Sequence, residues 1–266
     1  MIIDFHTHVF PDALAPKAGA SLSAVAGFPM FSDLTVSGQL AVMAEDGIDR
    51  SVVLNTVTNT RQVEKVNLFA LETAKNHPAL SVFGSVHPLG EDPVGTLQRL
   101  YDAGLRGLKL HPDYLGIPFD HPSYRPILKL ASDLQIPVVI HAGFDPVSPE
   151  KIHATPKTIK KVIAEYPELI LICAHMGGMT LWDEVLEELC GRRLYFDTAM
   201  CSRRTGMTPA IGRALVSAHG AKNILFGSDM PWARPSEILS FLDSWELTAE
   251  EREAILWRNG AALLHI

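Results

Sequence analysis

Eight short apolar runs separated by helix-like segments constrain this sequence more than any other feature. They cover residues 2–8, 51–56, 82–88, 107–112, 137–143, 169–175, 194–198 and 224–229. Runs this short and this uniformly apolar read as strands buried on both faces, as in a parallel sheet. Helix-like segments follow at 37–45, 62–75, 93–103, 124–134, 156–166, 181–189, 209–218, 235–245 and 249–259. In the second of these, Val63, Val66, Phe69 and Ala70 fall at helical spacing. Several open with a proline near the first turn, and Gly47 and Gly104 stand where a helix would stop. Thr248 with Glu251 three residues later is a capping-box pair for the last one.

Eight strands alternating with helices predict an α/β fold of the (β/α)8 TIM-barrel type, with residues 1–266 as a single domain. An open doubly wound sheet gives a similar alternation. The count of eight favours the barrel, and no Gly-x-Gly-x-x-Gly turn follows the first strand. Residues 9–33, rich in Ala, Gly and Ser, make an unusually long connection. They predict a lid over the barrel mouth, a short helix packed there, or both.

Net charge is −7 and no basic stripe appears, which argues against nucleic acid or acidic membranes as partners. No apolar run approaches the ~18 residues of a membrane span, and the N-terminus carries no secretory pattern. Cys173, Cys190 and Cys201 are odd in number and lack metal-type spacing. The chain thus reads as a cytoplasmic protein acting on a small-molecule substrate, with a homodimer left open.

In a barrel enzyme the chemistry sits at the C-terminal ends of the strands. The chain has 11 histidines, and six (His6, His8, His87, His111, His141 and His175) fall at such ends, with Asp229 ending the eighth strand. Residues i and i+2 of a strand share a face, so His6 and His8 project together while Phe5 and Thr7 point away. His6, His8, His141 and Asp229 can converge on one divalent ion, leaving a position for water as a catalytic site requires. Asp229 could instead cap the turn that follows. His175 suits acid–base work or orientation of the water, its rival role being ligand to a second ion. Lys109 could be carbamylated and bridge two ions, or act as a plain ammonium toward a carboxylate. His87 and His111 precede prolines and are assigned to capping or packing, and Asp197 to orienting a neighbour. Asp4 is expected on the His6 face one layer deeper, supporting a ligand or the fold.

Five pieces carry a resemblance: Ile3-Asp4-Phe5-His6-Thr7-His8, Leu108-Lys109-Leu110-His111-Pro112, Val139-Ile140-His141-Ala142-Gly143, Ala174-His175-Met176-Gly177-Gly178 and Phe226-Gly227-Ser228-Asp229-Met230-Pro231-Trp232. In that order, the chain resembles the amidohydrolase superfamily, in the branch that includes aminocarboxymuconate semialdehyde decarboxylase. The resemblance implies a distorted barrel with Zn2+, or another divalent metal such as Mn2+, at its mouth. It implies ligation by His6, His8, His141 and Asp229, with His175 acting on water or substrate. One ion is favoured, and two if Lys109 is carbamylated.

The first expectation is a metal-dependent hydrolase. It would cleave a C–N or C–O bond through an activated water, with Asp229 accepting the proton and His175 holding the water or the developing oxyanion. The alternative is a metal-dependent non-oxidative decarboxylase of a small carboxylic acid, for which Arg203, Arg204 or Arg234 could hold the acid. A scaffold without turnover fits less well, because a structural site fills all four positions with protein groups.

Overall fold

The computed structural model covers residues 1–266. Its strands are β1 (Ile3–Thr7), β2 (Arg50–Leu54), β3 (Leu80–Ser85), β4 (Leu108–Leu110), β5 (Val138–Ile140), β6 (Leu171–Cys173), β7 (Tyr195–Asp197) and β8 (Ile224–Leu225). They pair in sequence order and every neighbouring pair is parallel. The end of the chain's last strand returns to the first. Phe5 N–H donates to Phe226 O at 2.7 Å, Asp229 N–H to His6 O at 2.8 Å and His8 N–H to Met230 O at 2.8 Å. The alternation of runs and segments thus closes into the expected barrel.

The long connection after β1 contains a helix, α1 (Ala15–Ala26), ahead of α2 (Val36–Asp46); α3 (Val63–Asn76) follows β2. Local signals set their ends. Thr35 Oγ1 accepts the Gly38 N–H at 3.0 Å to start α2, and Gly47 ends it in the left-handed region. The Thr248–Glu251 capping box is present. The helix expected over 249–259 continues through a π-turn at Ala254–Arg258 into Asn259–Leu264. The carbonyl of Ile255, within that wider turn, accepts the Phe226 N–H at 2.8 Å. A strand of two residues is thereby stitched to the closing helix. No helix is long and apolar enough to cross a membrane.

The core has two compartments. One fills the space between barrel and helices. The other lies inside the barrel, where Val52, Leu54, Phe83, Val139, Ile172 and Leu225 meet from five strands, joined by Ile3 and Phe5. Phe5 is a departure from strict alternation. Asp4 pairs with Ser51 but Thr7 pairs with Val53, so three steps along β1 match two along β2. This bulge turns both Phe5 and His6 inward. Asp4 therefore does not lie beneath His6 on the same face. It accepts instead from Ser228 Oγ at 2.5 Å, Ser228 N–H at 2.9 Å and His6 N–H at 3.2 Å, and burial raises its pKa to about 7.

His219 ends the helix Pro209–His219 with its ring stacked on Phe196 at 4.0 Å. Its Nε2–H donates to Leu194 O at 3.0 Å and its Nδ1 accepts the Gly191 N–H at 3.2 Å. Burial lowers its pKa from 6.5 to about 4. As pH falls the unfolded chain binds this proton first. Stability present above pH 6.5 is then lost on the way down to about pH 4, by up to about 3 kcal/mol. Urea melts of His219→Gln should be flatter across that window than those of the wild type. Parallel profiles would remove His219 as the cause.

Candidate active site

Two histidines of β1 are held by their Nδ1 atoms. His6 Nδ1–H donates to Asp197 Oδ2 at 2.8 Å, and His8 Nδ1–H to Leu54 O at 2.9 Å. Each neutral ring then presents a lone pair at Nε2. Asp229 Oδ1 lies 3.0 Å from His8 Nε2 and 3.5 Å from His6 Nε2. Asp229 reaches this place through a left-handed backbone, φ +72°. Gly227 permits the close approach, since a Cβ there would fall 2.9 Å from His6 Cβ. Burial would raise Asp229, but His6 and His8 outweigh it and hold the carboxylate well below its usual range. Burial likewise drives His6 well below the usual imidazole value. A lone pair on His8 Nε2 facing the Asp229 carboxylate calls for a cation between them. The nearest ammonium is Lys109, whose Nζ stands 3.5 Å from His6 Nε2 and whose pKa burial lowers to about 8.

His175 Nδ1–H donates to Ala199 O at 3.0 Å, so its Nε2 accepts from His141 Nδ1–H at 3.0 Å. His175 also occupies the left-handed region, φ +60°. His141 is left with a lone pair on Nε2, a buried atom with no hydrogen-bond partner in the protein. The tautomer is that of a metal ligand. The position differs from the sequence expectation, however. His6, His8 and Asp229 form one group with donor atoms within 4.8 Å, while His141 falls in a second group with His111 and Asp145. His141 Nε2 is 3.8 Å from Asp145 Oδ2 and 3.9 Å from Asp113 Oδ2.

His111 does what a residue before proline was expected to do. Its Nδ1 accepts the Tyr114 N–H at 3.3 Å and caps the short helix Pro112–Leu115. The proton is then on Nε2 and goes to Asp145 Oδ2 at 3.1 Å. His111 therefore orients Asp145 and stacks on His141 at 4.3 Å; it offers no lone pair to an ion. His87 Nδ1 accepts the Leu89 N–H at 3.2 Å in a turn. Asp197 orients His6, as expected. His153 lies in the connection after β5 and binds Asp113 Oδ1 through its Nδ1–H at 2.8 Å.

A cavity of about 460 Å³ opens above these groups. His8, Asp229, Lys109, His141 and His175 reach its floor. One wall is apolar, with Phe10, Leu14, Leu22, Phe28 and Trp232. Leu22 belongs to α1, so the long connection is both lid and helix. Arg204 fixes its end, lying over Phe28 and Phe31 at 5.6 Å each and pairing with Glu237 at 2.9 Å. Arg234 is bound by Glu45 and Asp46. No arginine lines the cavity. The other wall comes from the β2–α3 connection and α3 and is mixed, with Asn55, Thr56, Thr58, Gln62 and Lys65 beside Val66 and Phe69. This wall was not expected. Positions 62, 65, 66 and 69 mark one helix face, but periodicity does not say whether a face meets a core or a cavity.

The amidohydrolase family model matches residues 3–266. The chain belongs to the amidohydrolase family. No curated protein matches the chain. Among solved structures, an uncharacterized TIM-barrel protein, Bb4693 from Bordetella bronchiseptica, has a TM-score of 0.78 at 20% identity, covering 99% of this chain and 98% of its own. The 5-carboxyvanillate decarboxylase LigW from Sphingomonas paucimobilis has a TM-score of 0.72 at 14% identity, covering 100% and 99%. A dihydroxybenzoic acid decarboxylase from Polaromonas sp. JS666, with bound manganese, has a TM-score of 0.71 at 15% identity, covering 99% and 96%. At these identities the likeness establishes the fold.

The amidohydrolase superfamily is metal-dependent, and the site of this amidohydrolase fits a cation. An ionised carboxylate faces two imidazole lone pairs, and a third imidazole beside them carries a buried lone pair without a partner. A site built for hydrogen bonding alone would put donors against these acceptors.

Proposed function

We propose that this amidohydrolase is a metal-dependent, non-oxidative decarboxylase of a small carboxylic acid. That order reverses the one the sequence favours. The observation that carries it is the cavity, whose floor gathers cation-binding side chains and the Lys109 ammonium while the wall that includes α1 is largely apolar. Such a site takes a carboxylate head first and leaves the body of the molecule in apolar surroundings. The decarboxylases among the similar folds support the same reading.

His6, His8 and Asp229 would hold one ion, zinc or manganese, and His141 would complete the set by turning its free Nε2 toward them. A bound ion would supply positive charge to the carboxylate and to a neighbouring oxygen of the substrate. The Lys109 ammonium adds charge at the same floor. The carbon–carboxylate bond breaks, its electron pair stays on carbon, and that carbon takes a proton delivered through His175 Nε2, which the turn of His141 toward the ion would free from the His141 Nδ1–H. His175, held at Nδ1 by Ala199, recovers its proton from solvent after carbon dioxide leaves. The apolar wall excludes water and favours the neutral products over the charged substrate.

Hydrolysis of an amide, ester or lactone is the second reading. The position of Asp229 favours it, because a carboxylate beside the His6 and His8 Nε2 atoms stands where a bound water would lose its proton. The test is a parallel assay of enzyme reconstituted with Zn2+ or Mn2+. Aromatic and aliphatic acids are scored for carbon dioxide release, and amides, esters and lactones for hydrolysis. Metal-dependent release of carbon dioxide is expected. Hydrolysis without it would replace the first reading with the second.

A further inference from the structure

We propose that the substrate carries an alkyl arm beyond its acidic head, and that this arm lies in a groove between α1 and α3 that begins at the metal-binding floor. The inference names the substrate class of the proposed decarboxylase, an acid bearing an aliphatic chain of several carbons. It rests on that reading for placing the carboxylate at the floor.

Each helix has two working faces. α1 is seated on the fold through its buried residues Ala15 and Gly19; a Cβ on Gly19 would fall 2.7 Å from Met30 Cε and 3.1 Å from Leu34 Cδ1. The neighbouring face carries Leu14, Ala18, Leu22 and Ala26, each four residues after the last. All four line the cavity and none is buried. α3 is seated through Asn67, Ala70 and Thr73. Asn67 is tied to β3, its Oδ1 accepting the Ser85 N–H at 2.9 Å and its Nδ2–H donating to Ser85 O at 2.7 Å. The other face of α3 turns Val66 and Phe69 to the cavity, and both are only partly buried. The buried seat of each helix is thus distinct from the apolar face it offers to the cavity.

The groove is continuous with the floor. Val9, Phe10 and Pro11 follow His8 directly and line the same cavity, and Leu14 begins the stripe of α1. Leu14 is 55% exposed, so the groove opens to solvent. From Leu14 to Leu22 the stripe runs about 12 Å along the helix, further than a carboxylate and its reacting carbon reach. Ala18 and Ala26 alternate with the leucines and leave width for a chain. A cavity of about 460 Å³ falls in the ~300–1,000 Å³ range of sites that bury ligands of drug size. Gln62 and Lys65 share the α3 face. Gln62 Oε1 accepts the Thr58 N–H at 3.0 Å, and Lys65 is exposed, where a lysine stem can cover apolar surface while its ammonium stays in water. Apolar surface left half-covered beside a carboxylate-binding floor favours an acid that covers it, with a similar gain for each methylene added.

The test is equilibrium binding to the metal-loaded protein by titration calorimetry, with butyrate, hexanoate and octanoate as probes. Affinity should rise by about threefold for each added methylene, the order expected for burying one CH2. Ala18→Leu fills the groove and should flatten that rise. Val66→Thr keeps the side chain's shape but puts a hydroxyl in the opposite wall, and should lower the gain per methylene. Metal content and melting temperature confirm that the variants fold. Equal affinity across the three acids overturns the proposal. So does a rise that survives both substitutions, which would mark general association of alkyl chains with the protein. Binding is read without turnover, so length-dependent binding with no release of carbon dioxide from any acid sinks the decarboxylase reading alone.

Discussion

Replacing Asp229 by Asn is expected to lower kcat by about a thousandfold or more and to reduce bound metal per chain. Asp229 is the one carboxylate of the ligand trio, so the substitution removes its negative charge while keeping its shape. It also keeps the backbone. Asp229 sits at φ +72°, a region that Asn tolerates nearly as well as Asp and that most other residues resist. An Asn variant thus reports on chemistry, whereas Ala would mix chemistry with a strained turn. The measurements are turnover on whichever substrate the parallel assay identifies and elemental analysis of purified protein. Full metal content with undiminished turnover would remove Asp229 from both of its roles.

The second large effect is expected at His175. His175→Asn should cost about a hundredfold to ten-thousandfold in kcat, the range for loss of a positioned acid or base, with metal content near that of the wild type. Asn again suits the left-handed backbone at φ +60°. The contrast with Asp229 lies in the metal. His175 Nε2 faces His141 and its Nδ1 is taken by Ala199, so His175 stands beside the ligand set, and in the proposed mechanism its part is the proton and not the ion. Loss of metal together with activity would make it a ligand instead and revive the two-ion reading.

The fold was legible because eight doubly buried strands leave an unmistakable trace, and each ends where function can be placed. Three of the four expected ligands, His6, His8 and Asp229, stand together. The orienting role of Asp197 and the capping role of His111 also follow from position in a strand and from the proline after it. What escaped depends on three-dimensional facing. The tautomer of His141 is fixed by His175, a neighbour 34 residues away, and no local pattern contains that. Asn55 and Lys65 sit on a helix face and strand end that could equally have met the core. For the arginines near the mouth, pairing with acids of the fold was the more expected role than holding a substrate acid, and Glu45, Asp46 and Glu237 do claim Arg234 and Arg204, although no local pattern names those partners.

The bulge in β1 has a consequence for how the N-terminal segment tolerates change in length. Regular alternation lets a strand offer every second side chain to the interior, so an unbulged β1 could supply either the Ile3–Phe5 plug or the His6–His8 pair, never both. The extra residue between Asp4 and Thr7 resolves that conflict by shifting phase once, between plug and ligands. Deleting a single residue there would return the strand to one phase and force a choice between a filled barrel floor and a working metal centre. The number of residues in this strand is therefore as tightly fixed as the histidines themselves, and adjacency of an aromatic residue to the first histidine is the mark of the phase shift.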